Sequence, residues 1–382
     1  MNIRRTLHIL GVVLLILAAA QLVPILWSLL AGDAHEVSGF LAGAGFSALL
    51  GLGFRLFGNA EGSLYRREGV LIVVGAWVLA SLSGAIPYLV SGAIPNPVDA
   101  LFESVSGFTT TGASILVDIE SAGRGILFWR CMTQWLGGVG IVVLFVALLG
   151  ELGPGARFLF RLEVPGPKTE ILHARVQEAA ITVLRIYLMM SALEVVLLML
   201  CGLSLFDSLT HTFSTVSTGG FSPYADSMAH FGTAARLVVM TFMIAAGINF
   251  SLYYMVWVQR DVVALRDSEL RFYGLLLVTA AGVVTVDLLS HAGSEDPQPI
   301  LDGAFQVISI LTTTGFSTAD FGGWPDLSKG VLLVLMVLAP AGTVTSCSEP
   351  GTNTTAAFRR PSSSTIAKSR SGSVPRFWTR SR

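Results

Sequence analysis

Three threonine- and glycine-rich stretches hold the residue types that could bind an ion. Thr110, Thr111 and Gly112 fall within DALFESVSGFTTTGASI, from Asp99 to Ile115. Thr218, Gly219 and Gly220 fall within DSLTHTFSTVSTGGFSP, from Asp207 to Pro223. Thr313, Thr314 and Gly315 fall within DGAFQVISILTTTGFST, from Asp302 to Thr318. The three align without a gap, and the opening Asp precedes the key Gly by 13 residues each time (112−99, 220−207, 315−302). Threonine competes with helical hydrogen bonding, and glycine permits left-handed dihedrals. A short helix stopping at such a segment leaves backbone carbonyls free. Several such segments meeting on one axis form a ring of oxygens that can replace the hydration shell of a monovalent cation. The partly negative C-terminal end of each helix also favours a cation. The donors would be the carbonyls of the two residues before each glycine, which itself keeps the ring clear of a side chain. One copy alone reads equally well as a helix C-cap with a left-handed glycine. Three copies at one spacing point to a repeated module.

The elements that position these segments follow from composition. The chain has 382 residues, 53% hydrophobic and 13% charged, with mean hydropathy +0.69. A soluble domain carries about 25% charged residues, so most of this surface must face lipid. A net charge of −1 gives no case for nucleic-acid binding. Cys131, Cys201 and Cys347 show neither metal spacing nor a disulfide framework and read as small packing residues. Apolar runs long enough to span are expected at 7–30, 38–57, 70–91, 125–149, 178–203, 234–258 and 272–291, with an eighth starting near 329. The runs at 98–111, 206–219 and 301–314 are too short to cross and read as re-entrant. Basic residues (Arg4, Arg5, Arg55, Arg66, Arg67, Arg157, Arg161, Lys168, His173, Arg175, Arg260, Arg266, Arg271) fall on one side, while Asp33, Glu36, Asp226, Glu295 and Asp296 fall on the other. This places the N-terminus in the cytoplasm, with the re-entrant stretches entering from outside.

Several polar residues lie inside these apolar elements. At the fourth residue after each opening Asp stand Glu103, His211 and Gln306. His211 reads as a satisfied structural histidine more readily than as a gate. Arg130 and Gln134 lie one turn apart, and Arg130 could pair with Glu103. Gly137, Gly138 and Gly140 read as close-packing positions. Asn249 reads equally as an interhelical hydrogen bond or as pore lining, and Glu194 needs a partner or a neutral state.

With these residues in hand, the chain resembles the Trk/Ktr/HKT superfamily, and most closely the membrane subunit of bacterial Trk-type potassium uptake systems. The resemblance rests on SVSGFTTTGAS at 104–114, WRCMTQWLGGVGIVVL at 129–144, LEVPGPK at 162–168, FSTVSTGGFSP at 213–223 and LTTTGFSTADFGGWP at 311–325. It implies an all-α polytopic membrane protein in which helix–pore–helix modules surround a pseudo-fourfold pore. It implies inward movement of potassium across the bacterial inner membrane, with one filter segment from each module. It also implies a homodimer in the lipid and a cytosolic nucleotide-binding regulatory subunit. No glycine-rich nucleotide fingerprint occurs in this chain, so no cofactor is expected on it and potassium is the substrate.

The resulting plan has two extra helices in 1–68, then modules in 69–152, 170–260 and 268–340, the last incomplete. Three of four modules are present. The stretch 341–382 has no acidic residue after Glu349 and reads as disordered. Its abrupt change of composition is read as a shift of reading frame near Leu338, and a basic cytoplasmic tail is the other reading. Three segments cannot close a fourfold ring, so conduction is expected to be impaired. The alternative is a non-conducting or vestigial subunit that associates with a complete channel. An intramembrane serine hydrolase using Ser106 or Ser222 with His211 is disfavoured, because no nucleophile-elbow motif occurs and one catalytic site has no use for three repeats.

Overall fold

The computed structural model describes residues 2–59, 66–151, 169–248, 250–257, 260, 267–291 and 299–345. Expectations for Asn249, for Arg157, Arg161, Lys168 and Arg266, for Glu295 and Asp296, and for 346–382 with Cys347 lie outside them. Among the described residues the chain is all-helical.

The first apolar run is not one helix. α1 (Ile3–Gln21) stops, and α2 (Ile25–Ala31) restarts directly after Pro24, within the single span expected over 7–30. Proline has no amide hydrogen and clashes with the preceding turn, so it ends one helix and can open the next. Asp33 then caps α3 (Ala34–Phe57), its carboxylate accepting from the backbone N–H of His35 and Glu36. α4 (Arg66–Val90) packs with α1 and α3 around a buried polar knot. Pro87 inside α4 leaves the Ser83 carbonyl without its usual helical donor. The Gln21 amide donates to that carbonyl at 3.1 Å. Ser47 bonds both Gln21 and Ser83.

In the remainder each short helix packs between two other helices. α5 (Pro97–Phe108) lies between α4 and α6 (Arg124–Glu151). α8 (Leu205–Val216) packs against α7 (Thr169–Leu200) and α9 (Thr233–Ala246). α12 (Pro299–Leu311) packs against α11 (Ser268–His291) and α13 (Asp326–Thr345). The short helices have 12, 12 and 13 residues, or roughly 18–20 Å at 1.5 Å per residue, too little to cross a bilayer. The span expected over 234–258 ends at Gly247, with α10 (Phe250–Trp257) beyond it. α13 continues to Thr345, five residues into the stretch expected to be irregular from 341.

Carboxylates of one helix satisfy the N-terminal end of another. The buried Glu36 carboxylate of α3 accepts from Gly125 and Ile126 at 3.0 and 3.1 Å. These are among the first N–H groups of α6, which have no partner within the helix. Asp287 of α11 does the same for α13 through the Ser328 N–H and hydroxyl. Gly137 lets α6 approach α5 so closely that a Cβ there would overlap the Phe108 carbonyl, and Gly138 packs on Tyr187 and Ser217. Gly140, expected to share that role, has open space beside it among the described residues.

Five helical stretches among the described residues are long and apolar enough to cross a membrane: 3–31, 34–57, 67–90, 181–200 and 270–291. No more than 39% of any of their apolar windows is buried within the protein. Leu30, Leu49, Leu56 and Val286 stand exposed on them, as suits side chains whose solvent is hydrocarbon.

Candidate functional site

Each short helix starts with an acidic residue in its first turn, Asp99, Asp207 or Asp302, which complements the positive end of the helix dipole. Asn96 and Ser204 cap the first two. Each helix then ends in the same way. The N–H of Thr110 bonds the Gly107 carbonyl, and that of Thr111 reaches the Ser106 carbonyl. Thr218 and Gly219 bond Thr215 and Ser214, and Thr313 and Thr314 bond Ile310 and Ser309. These are three Schellman caps, which need a left-handed residue just past the helix.

That left-handed residue is threonine each time. Thr110, Thr218 and Thr313 have φ of 54°, 53° and 60°. A β-branched residue rarely adopts positive φ, and such strain costs on the order of 1–3 kcal/mol per position. The glycines are left-handed too: Gly112, Gly220 and Gly315 have φ of 76°, 77° and 87°. Thr111, Gly219 and Thr314 lie between them on the negative side, so the sign of φ alternates through all three segments.

The segments also touch one another in chain order. A Cβ on Gly112 would overlap the Gly219 carbonyl oxygen, and a Cβ on Gly220 would overlap that of Thr314. Gly315 has no atom within 4 Å of its Cβ position among the described residues. The nine candidate residues are therefore brought together, with one flank open at Gly315.

The surroundings are polar and buried. The Arg130 guanidinium pairs with Glu103 at 2.7 Å, with both side chains almost fully buried. Glu103 also accepts from Ser114 and from the Ile115 N–H at 3.1 and 2.9 Å. Arg130 donates on to Ser114 and to the Ser222 carbonyl, and lies over the Phe221 ring. This network joins the first segment to the second. His211 occupies the position equivalent to Glu103, and both its nitrogens are engaged, Nδ1 with the Asp207 carbonyl and Nε2 with the Ser222 hydroxyl. It is a satisfied structural histidine. Tyr224 donates to Asp207 at 2.9 Å, and partial burial with that carboxylate pushes its phenol up to about 12. The third segment is held by backbone: the Met228 N–H donates to the Ser317 carbonyl, and the Ser317 N–H to the Ser227 hydroxyl. The Gln306 oxygen has no partner among the described residues.

Three devices here escape sequence reasoning. Serine recurs seven residues after each opening Asp, at Ser106, Ser214 and Ser309. Its carbonyl accepts the cap bond from five residues on in each segment, and the Ser309 hydroxyl also donates to the Phe316 carbonyl. The constant serine column of the three aligned copies is the signal that could have found it. Hydroxyl pairs Thr109–Thr111 and Thr312–Thr314, each at 2.8 Å, brace the first and third segments. Gln134 binds the second segment instead, its amide donating to the Gly219 carbonyl at 2.7 Å and accepting from the Phe221 N–H at 3.0 Å.

Comparison with known proteins decides the family. The profile of TrkH, cation transport protein, matches residues 40–360. The chain belongs to the TrkH family of cation transport proteins. The Trk system potassium uptake protein TrkH of Halomonas elongata is 38% identical over 343 residues, covering 87% of this chain and 70% of that protein. Its Escherichia coli K12 counterpart is 35% identical over 346 residues with the same coverage. The crystal structure of the potassium transporter TrkH from Vibrio parahaemolyticus superposes with a TM-score of 0.75 at 31% identity, covering 88% of this chain and 70% of that one. The TrkH-family chain thus spans about 70% of the length of these relatives. These relatives are named as potassium uptake proteins and a potassium transporter.

Proposed function

We propose that the chain moves potassium ions across the bacterial inner membrane through a filter of backbone carbonyls. Thr110, Thr111, Thr218, Gly219, Thr313 and Thr314 supply the oxygens, while Gly112, Gly220 and Gly315 keep the path clear. The observation that carries this reading is the shared dihedral signature, a strained left-handed threonine two residues before a left-handed glycine in all three segments. Strain kept three times in one position fits a functional demand. Alternating φ turns successive peptide groups the same way, which supports a row of oxygens facing one path. Those oxygens replace water around a monovalent cation. The names of the relatives, potassium uptake proteins of a Trk system, support potassium as substrate and a place in a multi-component system.

In this reading 69–152, 170–260 and 268–340 are helix–pore–helix modules and 1–68 contributes two accessory elements. The N-terminus is cytoplasmic. The partners are a second copy of the chain, the surrounding lipid and a cytosolic nucleotide-binding regulatory subunit. No resident cofactor takes part.

The open flank at Gly315 favours a second reading beside the first. A ring of this kind closes only when a further segment lies against Gly315, from this or another polypeptide. A chain whose flank stays open acts as a non-conducting subunit of a complete channel. Potassium uptake by proteoliposomes holding the purified chain, compared with Gly220→Ala, tests the transport reading. Uptake that the substitution abolishes supports it. Uptake unaffected by the substitution removes the filter assignment, and no uptake by the chain alone, with co-purification of a longer relative, selects the subunit reading.

A further inference from the structure

The second segment departs from the other two at one position, and a side chain from a different module fills the gap. The first and third segments read Thr-Thr-Thr-Gly, and their outer threonines, Thr109 with Thr111 and Thr312 with Thr314, form a hydroxyl brace across two residues. The second reads Ser-Thr-Gly-Gly. With glycine at 219 that brace cannot form. The Gln134 amide of α6 occupies the place, and the three atoms nearest to a Cβ on Gly219 all belong to Gln134. Gln134 is fully buried, and both ends of its amide bond the segment, to the Gly219 carbonyl and the Phe221 N–H.

We propose that Gln134 is a positioning residue that sets the second segment's carbonyl geometry and thereby the ion preference of the pathway. The proposal rests on the filter reading above. A donated hydrogen bond draws on the Gly219 oxygen and weakens its field toward a cation, while the matching oxygens of Thr111 and Thr314 have no such donor among the hydrogen bonds of the described residues. Preference among monovalent cations depends on the number and field strength of the coordinating carbonyls. Releasing this oxygen strengthens its field and favours the smaller, more strongly hydrated sodium ion.

The test uses the purified full chain in detergent and reads thermal stabilisation during titration with KCl or NaCl, a readout that does not need conduction. Gln134→Ala is expected to move the ratio of half-stabilising concentrations toward sodium by roughly five- to tenfold, the equivalent of one net hydrogen bond. Adding Gly219→Thr to that variant rebuilds a hydroxyl brace with Ser217. Residue 219 has negative φ, and loss of Gln134 makes room for the threonine, but the hydroxyl gives the 219 carbonyl no donor, so the shift toward sodium persists. If Gln134→Ala does not fold, Gln134→Met fills the same space, loses the donor to Gly219, and is expected to shift the ratio in the same direction. An unchanged ratio in the Gln134 variant, alongside a ratio collapsed by Gly220→Ala, overturns the proposal and leaves the filter reading standing. A ratio unchanged by both substitutions overturns the filter reading and this proposal with it. A shift that Gly219→Thr reverses would assign the preference to the brace and overturn the role given to the Gln134 donor.

Discussion

Arg130 and Glu103 form a fully buried ion pair at 2.7 Å, and its spare hydrogen-bonding capacity is spent on two different Thr-Gly segments. Glu103 holds Ser114 and Ile115 of the first, and Arg130 holds Ser222 of the second. Breaking one side of such a pair leaves an uncompensated buried charge, which costs about 3–5 kcal/mol. Glu103→Ala is therefore expected to lower unfolding free energy by that amount. Denaturant unfolding in detergent measures it, and a loss below 1 kcal/mol would mean that the network contributes little.

The glycines should differ in what they tolerate. Gly112→Ala and Gly220→Ala each drive a Cβ into a neighbouring carbonyl, at positive φ. Gly315→Ala meets the same backbone strain at φ 87° but open space. The expected order of thermal stability is Gly315→Ala well above the other two. Equal losses at all three would show that the flank of Gly315 is occupied in the folded protein.

The left-handed threonines should be costly to stability and needed for function. A left-handed L-residue costs roughly 1–2 kcal/mol, which glycine avoids at an entropic cost of about 0.5–1 kcal/mol. Thr313→Gly is expected to leave stability unchanged or slightly raised, while potassium-over-sodium preference falls. Calorimetry beside salt titration checks both, and a clear destabilisation would place the strain elsewhere.

Glu194 is wholly buried on α7, with the Thr215 hydroxyl near its carboxylate and no cationic partner among the described residues. An unpaired buried charge is expensive. Glu194→Gln, which keeps the shape without the charge, should not reduce stability. A drop of more than about 2 kcal/mol, comparable to losing a charged hydrogen bond, would reveal a cationic partner.

Sequence and structure agree where the signal is a spacing. The fixed Asp-to-Gly distance gave the three short helices to within a few residues, and the one-turn offset of Arg130 and Gln134 put both side chains on one face toward the segments. The left-handed cap was legible as a motif but misplaced, because glycine is the residue that normally takes it. Here threonine takes it, and nothing local announces a strained residue that tertiary packing holds. The contacts of Gly112 with Gly219 and of Gly220 with Thr314 join residues about 100 positions apart, beyond any local pattern. The break after Gln21 was readable, since Pro24 stands inside the apolar run, but hydropathy averaged over a window hides one proline.

The most direct test of the central claim is to locate a heavier potassium mimic, rubidium or thallium, in the folded protein by anomalous scattering. The account predicts a peak flanked by backbone oxygens of the segments ending at Gly112, Gly220 and Gly315, lost in Gly220→Ala. A peak elsewhere in the molecule, or one that survives that substitution, would contradict it.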